Sequence, residues 1–287
     1  MFDKIEKIGD SWIQHGPNND RIYLMKLSKN DFPDIIDKLH NLSILKNYTK
    51  IFAKVPAGML VDFLANDFKK EATIPGFFNG KETVHFVSRF IGATRSFISA
   101  TKRMNIKNIL DAAKKKRSKA ISRLQSKVLF RRLGPTEVPQ LAQLYDLTFK
   151  VYPFPICKED YLMTTMSRNS EYYGAFLHGQ LIAASSAEMD VNSQNAEMTD
   201  FATHPDYRGK NLSYFLLKEM EKKLAERNFK TLFTIARAES IGMNATFARG
   251  EYNYGGTLIN NTQIGERIES MNVWFKSFPS LGGSSGY

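Results

Sequence analysis

A chain of 287 residues with 43% hydrophobic and 12% aromatic side chains carries enough apolar material for one large domain or two modest ones. Its single cysteine, Cys157, excludes an intramolecular disulfide and a cysteine-built zinc site, which favours a reducing, cytoplasmic setting. The net charge of +11 calls for an anionic partner or serves solubility, and neither a leader-like segment nor a bilayer-spanning apolar run accompanies it, so no membrane role is expected.

Residues 1–100 read as an α/β region. "NYTKIFAKV" at Asn47–Val55 lines up with "NFKTLFTIA" at Asn228–Ala236, each between an amphipathic helix and a short one. "EATIPGFFNG" and "ETVHFVSRF" then supply two strands, as "GGTLINN" and "MNVWFKSF" do later. The expectation is a strand-helix-strand-helix-strand-strand unit. It is either a partial repeat of the second half or a coincidental likeness of two α/β segments.

Residues 101–127 hold much of the excess positive charge. A nucleic-acid arm would mix aromatics among its cations. Here Ile106, Ile109, Leu110 and Ala113 recur at helical spacing instead, so the reading is a solvated basic helix or linker, and no nucleic-acid partner is expected.

From residue 128 to 278 the pattern is regular. "VLFRRL" at Val128–Leu133 is a strand, and Pro139–Phe149 places Leu141, Leu144, Tyr145 and Thr148 at helical spacing. Tyr172–Leu177 and Leu181–Met189 flank "HG" as a hairpin, and "AEMTDFAT" follows as a third antiparallel strand. The next helix puts Leu212, Phe215, Leu216, Met220 and Leu224 on one face. "KTLFTIA", a short helix at "GMNATFARGE", then "GGTLINN" and "ESMNVWFKSF" complete a β-α-β-β-β-α-β-α-β-β order. Residues 279–287 are expected to be a flexible tail.

The junction "HPDYRGKNLS", His204–Ser213, breaks this pattern. Pro205 cannot continue a strand ladder. The first amides of the following helix lack intrahelical acceptors, and the helix dipole adds positive potential there. With Arg208 and Lys210 alongside, and Gly209 allowing close approach, the junction reads either as a socket suited to a pyrophosphate or as an exposed turn with solvated charges. Asn211 tolerates left-handed backbone angles and Ser213 adds a hydroxyl. No Walker sequence is present.

"DFATHPDYRGKNLSYFLLKEME" resembles motif A of the GNAT superfamily of N-acetyltransferases: a strand, then [RQ]-x-x-G-x-[GA], then a helix. The pattern falls on Arg208, Asn211 and Ser213, so both glycine positions are substituted. The element order over 128–278 is similar to that fold, an α/β (α+β type) arrangement with a mixed, mostly antiparallel sheet flanked by helices. On this reading 1–100 is a degenerate half of the same fold.

The resemblance implies acetyl-CoA as cosubstrate and no metal. It assigns the pantetheine arm to the backbone of Phe201, Ala202 and Thr203, and the pyrophosphate to Arg208, Gly209, Lys210, Asn211, Leu212, Ser213 and Tyr214. Asn244 would touch the cofactor arm. The tyrosine that protonates the leaving thiolate in such enzymes aligns with Phe247, leaving Tyr252 or Tyr214 to substitute. Glu197 stands where some members carry a catalytic glutamate, with Asp200 and Glu188 nearby.

A narrower likeness covers both halves. "IGDSWIQHGPNNDRIYLMKL", "YTKIFAKVP", "EATIPGFFNG" and "ESMNVWFK" resemble the beta-lysine N-acetyltransferases of archaea and some bacteria. It implies acetylation of the N6 amine of beta-lysine to a compatible solute. A different amine (polyamine, aminoglycoside or protein lysine) or a non-catalytic acyl-CoA-binding module stays open. Arg237 or Arg249 could pair with a substrate carboxylate. Asn272 and Trp274 are candidate pocket residues, and His15 is read as structural. The first hundred residues either cover the substrate pocket or build a homodimer surface.

Overall fold

The computed structural model describes residues 3–117, 121, 127–149, 152 and 154–278. The expected tail at 279–287 and part of the basic segment lie outside the described residues.

In the first half, β1 (Lys4–Ile8), β2 (Ser11–Gly16) and β3 (Arg21–Lys26) precede α1 (Ile35–Lys46), β4 (Lys50–Pro56), α2 (Leu60–Ala65), β5 (Lys69–Phe78) and β6 (Glu82–Phe90). A short α3 (Ala93–Ser96) and α4 (Ala100–Lys114) lead to the second half. That half runs β7 (Leu129–Arg132), α5 (Val138–Thr148), α6 (Glu159–Arg168), β8 (Ser170–Leu177), β9 (Gln180–Asp190), β10 (Asn195–Thr203), α7 (Leu212–Glu226), β11 (Thr231–Arg237), α8 (Ile241–Arg249), β12 (Asn253–Ile264) and β13 (Arg267–Ser277).

Among the described residues thirteen strands form one sheet, ordered β1-β2-β3-β4-β6-β5-β12-β13-β11-β10-β9-β8-β7. Each half has one parallel step, β3 beside β4 and β10 beside β11, with antiparallel neighbours otherwise. The connections across those steps run through α1 and α7, as a parallel pair requires. Three strands rather than one precede α1, and α6 is an element absent from the expected order.

The halves meet where Gly256 of β12 pairs with Ala72 of β5. A Cβ on Gly256 would lie 2.1 Å from the Glu71 carbonyl oxygen and 2.6 Å from Ala72 Cα, and φ there is +147°. Only glycine lets the two backbones come this close.

Alternation along the strands sorts the core. Ile22, Leu24, Ile51, Ala53 and Val55 pack under α1 and α2, while Tyr23 and Phe52 turn to the opposite face. There they join Phe77, Phe86, Phe233, Met271 and Val273 in a cluster shared by both halves, with Phe77 and Phe233 ring centroids 5.1 Å apart. Beneath α7 and α8, Leu216, Met220, Leu232, Phe247, Tyr252 and Trp274 form the second half's core. The basic segment contributes to it: Ile106, Leu110 and Ala113 of α4 pack into that cluster while the lysines of α4 remain outside.

Candidate active site

β10 and β11 are paired only from Asn195–Thr231 to Glu197–Phe233, after which the two strands part. A bulge in β10 between Thr199 and Ala202 puts Asp200 at φ +52°. Its carboxylate is held there by hydroxyl donors, Tyr152 at 2.5 Å and Ser186 at 2.7 Å. Beyond the bulge, Ala202 sits opposite Ala184 and the His204 amide donates to the Ile182 carbonyl. Ladder groups alternate along an antiparallel strand. Ala202 therefore faces β9, while the backbone groups of Phe201 and Thr203 face the open side left by β11.

The following corner is a cluster of free donors. Among the described residues no acceptor in the protein takes the amide protons of Gly209, Lys210, Asn211, Leu212 or Ser213. Gly209 (φ +78°) and Asn211 (φ +59°) both adopt left-handed angles, which turn the chain into α7. Arg249 donates to Asn211 Oδ1 at 2.8 Å and steadies it. Arg208 and Lys210 are exposed beside these amides. Unpaired amides, a helix start and cations together suit a diphosphate.

Where the strands part, a cavity of about 230 Å³ opens. Glu188 and Glu197 stand directly opposite each other on β9 and β10 and face it, as does Asp200. Across it lie Arg21, Tyr23 and Lys54 of the first half, with Gln14 alongside. No hydrogen bond or ion pair among the described residues engages Glu188 or Glu197, so both carboxyls are available to a ligand.

Both keep some surface open to the cavity, yet the surrounding protein removes most of their solvation. Burial pushes the Glu197 carboxyl up, Lys54 pulls it back and Asp200 adds to the rise, leaving it at about 7. Burial, then Glu197 and Asp200, raise Glu188 to about 8. Facing each other with little solvation, the two carboxyls disfavour simultaneous ionisation, so each raises the other's hold on a proton. Asp200 is also raised by burial, against the pull of its Tyr152 and Ser186 hydrogen bonds. Burial alone would lower Lys54, but Tyr23, Glu197 and Glu188 outweigh it and keep the ammonium charged.

Several expected site residues are placed elsewhere. Ala202 is a core residue, 1% exposed, with its ladder groups turned to β9, so it is withdrawn from the cofactor set. Asn244 is fully buried and spends its amide on the protein: Nδ2 donates to the carbonyls of Arg237, Ala238 and Ser240, and Oδ1 accepts from Asn272 and Trp274. It staples the β11–α8 turn to β13 and has no group left for a cofactor. Asn272 and Trp274 are its partners, on the face of β13 away from the cavity, and are likewise structural.

Tyr252 is buried under α7 and α8, edge-on to Phe247, and is withdrawn as a catalytic group. Phe247 itself is fully buried and packs edge-on to Phe201. Tyr214 sits half-buried in the first turn of α7.

Arg237 does line the cavity, but its guanidinium is committed to Glu269 by bonds of 2.8 and 2.7 Å. Arg249 belongs to the amide corner rather than to the cavity. His15 is buried between Tyr48 and Glu6, a structural residue of β2. Glu197, Asp200 and Phe201 are brought together at the cavity. Gln14, Arg21, Tyr23, Lys54 and Asn261 are cavity residues that the sequence reading did not single out. Among the described residues no group of three or more His, Cys, Asp or Glu side chains is arranged to hold a metal ion, and no helix is long and apolar enough to cross a membrane.

Comparison with known proteins places this geometry. Residues 139–249 match the Acetyltransferase (GNAT) family. The chain is 35% identical over 275 residues to the Beta-lysine N(6)-acetyltransferase of Methanococcus maripaludis, covering 96% of this chain and 99% of that protein. It is 37% identical over 173 residues to the Beta-lysine N(6)-acetyltransferase of Methanosarcina mazei, covering 60% and 63% of the two chains. It is 42% identical over 146 residues to the N-acetyltransferase YodP of Bacillus subtilis, covering 51% and 53%.

Proposed function

Because the chain belongs to the GNAT acetyltransferase family and, within it, to that of the beta-lysine N(6)-acetyltransferases, we propose that it transfers the acetyl group of acetyl-CoA to the N6 amine of beta-lysine. The observation that carries this is the extent of the likeness. It spans both halves, and so includes the β3–β4 wall of the cavity as well as the open edge of β10.

The residues present fit the cosubstrate. The free amides of Gly209–Ser213, with Arg208 and Lys210, would hold the pyrophosphate, and the Phe201 and Thr203 backbone would pair with the pantetheine arm. Bound there, acetyl-CoA supplies an acetyl group activated as a thioester.

The protein's own task is to make a nucleophile. An alkyl amine of pKa about 10.4 is neutral in only roughly four molecules per ten thousand at pH 7, a handicap near 4.6 kcal/mol. Glu197 accepts that proton: it faces the cavity, has no other partner and sits at about 7, close to the working pH. Glu188 opposite it receives or shares the proton. Asp200 holds the bulge, which aims the backbone N–H groups of the open edge at the acyl group and polarises its carbonyl. Lys54 keeps Glu197 from remaining protonated. Positioning the amine beside the acyl group replaces any need for a covalent enzyme intermediate: the C–N bond would form as the C–S bond breaks, and coenzyme A would leave as the thiolate and take up the amine's second proton.

Acetylation removes one cationic charge from the product, in keeping with a cytoplasmic compatible solute. The test is acetyl-CoA turnover across an amine panel. Highest kcat/KM with beta-lysine supports the reading; highest turnover with a polyamine or aminoglycoside, or tight binding of acetyl-CoA with no turnover of any amine, refutes it.

A further inference from the structure

The cavity contains a second set of polar groups that the transfer chemistry does not use. Arg21 is 5% exposed, yet among the described residues no carboxylate lies within ion-pair distance of it. Its buried cationic neighbours are treated differently: Lys50 pairs with Glu71 at 3.0 Å, and Arg95 pairs with Asp20 at 3.4 Å. Arg21 Nη1 donates to the Asn261 carbonyl and to Thr262 Oγ1, while its Nε is buried without an acceptor. A buried guanidinium without a counter-ion is costly, so the fold holds it there for something that arrives.

Two further unpartnered polar atoms lie on the same cavity wall. Gln14 is 2% exposed and its Nε2 has no acceptor; Asn261 is 1% exposed and its Oδ1 has no donor. Register brings these residues together. Gln14 lies opposite Tyr23 on the neighbouring strand, Arg21 is two residues along β3 on the same face, and Arg21 bonds directly to the Asn261 backbone. Two donors, one of them cationic, thus stand beside one acceptor. That is the complement of a carboxylate with an ammonium close to it.

We propose that Arg21, Gln14 and Asn261 form a head-group site for the amino-acid end of the acceptor, in which Arg21 and Gln14 donate to its carboxylate and Asn261 Oδ1 accepts from its second ammonium. This rests on the beta-lysine reading and names the residues that distinguish that substrate from a plain diamine. Tyr23 sits between the two ends, two residues from Arg21 and close enough to Glu197 and Lys54 to feel their charge. Two residues of strand span roughly 6.6 Å, so Arg21 is offset by about that much along β3 from Tyr23, the residue that senses Glu197. Burial leaves the Arg21 guanidinium at about 10, a sign of how little solvation it has when unpaired. A diamine without a carboxylate would leave it so, which builds rejection of polyamines into the wall.

The experiment compares kcat/KM for beta-lysine with that for 1,4-diaminopentane, which keeps the spacing of the two amines and has no carboxylate. Losing a charged hydrogen bond predicts that Arg21→Gln lowers the beta-lysine to diamine ratio about 10- to 100-fold, through KM for beta-lysine with kcat largely kept. Gln14→Leu lowers the same ratio by about 3- to 10-fold. Cooperative thermal unfolding checks each variant, and Gln14→Leu alone decides the question if Arg21→Gln does not fold. An unchanged ratio in a folded variant overturns the head-group site. Failure of the underlying substrate reading shows separately, as a wild-type protein with no preference for beta-lysine over the diamine.

Discussion

Replacing Glu197 with glutamine preserves the side chain's shape and removes its charge, so stability and activity should move in opposite directions. Its carboxyl stands at about 7 in the fold against an ordinary 4.5, raised by burial and Asp200 in spite of Lys54. At about 1.4 kcal/mol for each pKa unit, holding the ionised form costs the fold about 3 kcal/mol above neutral pH. Because the folded value lies above the unfolded one, this contribution to wild-type stability is complete below about pH 4.5 and is lost as pH rises through about 7.

Glutamine does not titrate. Glu197→Gln should therefore gain about 2–3 kcal/mol over wild type between about pH 5 and pH 8, the lower figure reflecting protons shared with Glu188. Urea unfolding at both pH values measures this. In parallel, coenzyme A release across the same range should fall by about 10²- to 10⁴-fold and lose its rising limb near pH 7. A stability difference that does not change with pH would refute the burial argument. A limb that survives in the variant would refute the assignment of the base.

Lys54 tests the same electrostatics from the opposite wall. Since it lowers the Glu197 value, Lys54→Met should move the rising limb of the rate profile to higher pH, and a limb that stays in place counts against the coupling. Tyr252 tests a placement: it is fully buried under α7 and α8 and does not line the cavity, so Tyr252→Phe should leave kcat within about twofold. A loss of kcat of about a hundredfold or more there would return Tyr252 to the chemistry.

Much of the second half was readable because its strands alternate and its helices carry clear apolar stripes. The junction at Gly209 was readable because left-handed angles, unpaired amides and cations coincide within a few residues. β1 and β2 were harder. β1 buries no side chain, and in β2 the buried Gln14 and His15 break the alternation, with His15 satisfied by the distant Tyr48. α6 lies behind the "YPFP" break and buries little beyond Leu162.

Asn272 and Trp274 looked like pocket residues because residue type does not say which face of β13 a side chain takes. Register does: Met271 and Val273 face the first half, so Asn272 and Trp274 must face α8. The cavity's other wall did leave a trace. "RIYLMK" and "KIFAKV" set Arg21, Tyr23, Lys50 and Lys54 in one phase and aliphatic residues in the other, a pattern that marks a strand face turned toward something polar.

The division of the cavity between two stretches of chain separates two selective pressures. On the proposed reading the thioester would be held by the second half, while β2, β3 and β4 of the first half, with Asn261 of β12, would screen the acceptor. On that reading, a handful of changes on those strands would retune which amine is admitted without disturbing how the acyl donor is held. Enzymes built on this plan can therefore diverge in diet while keeping one engine.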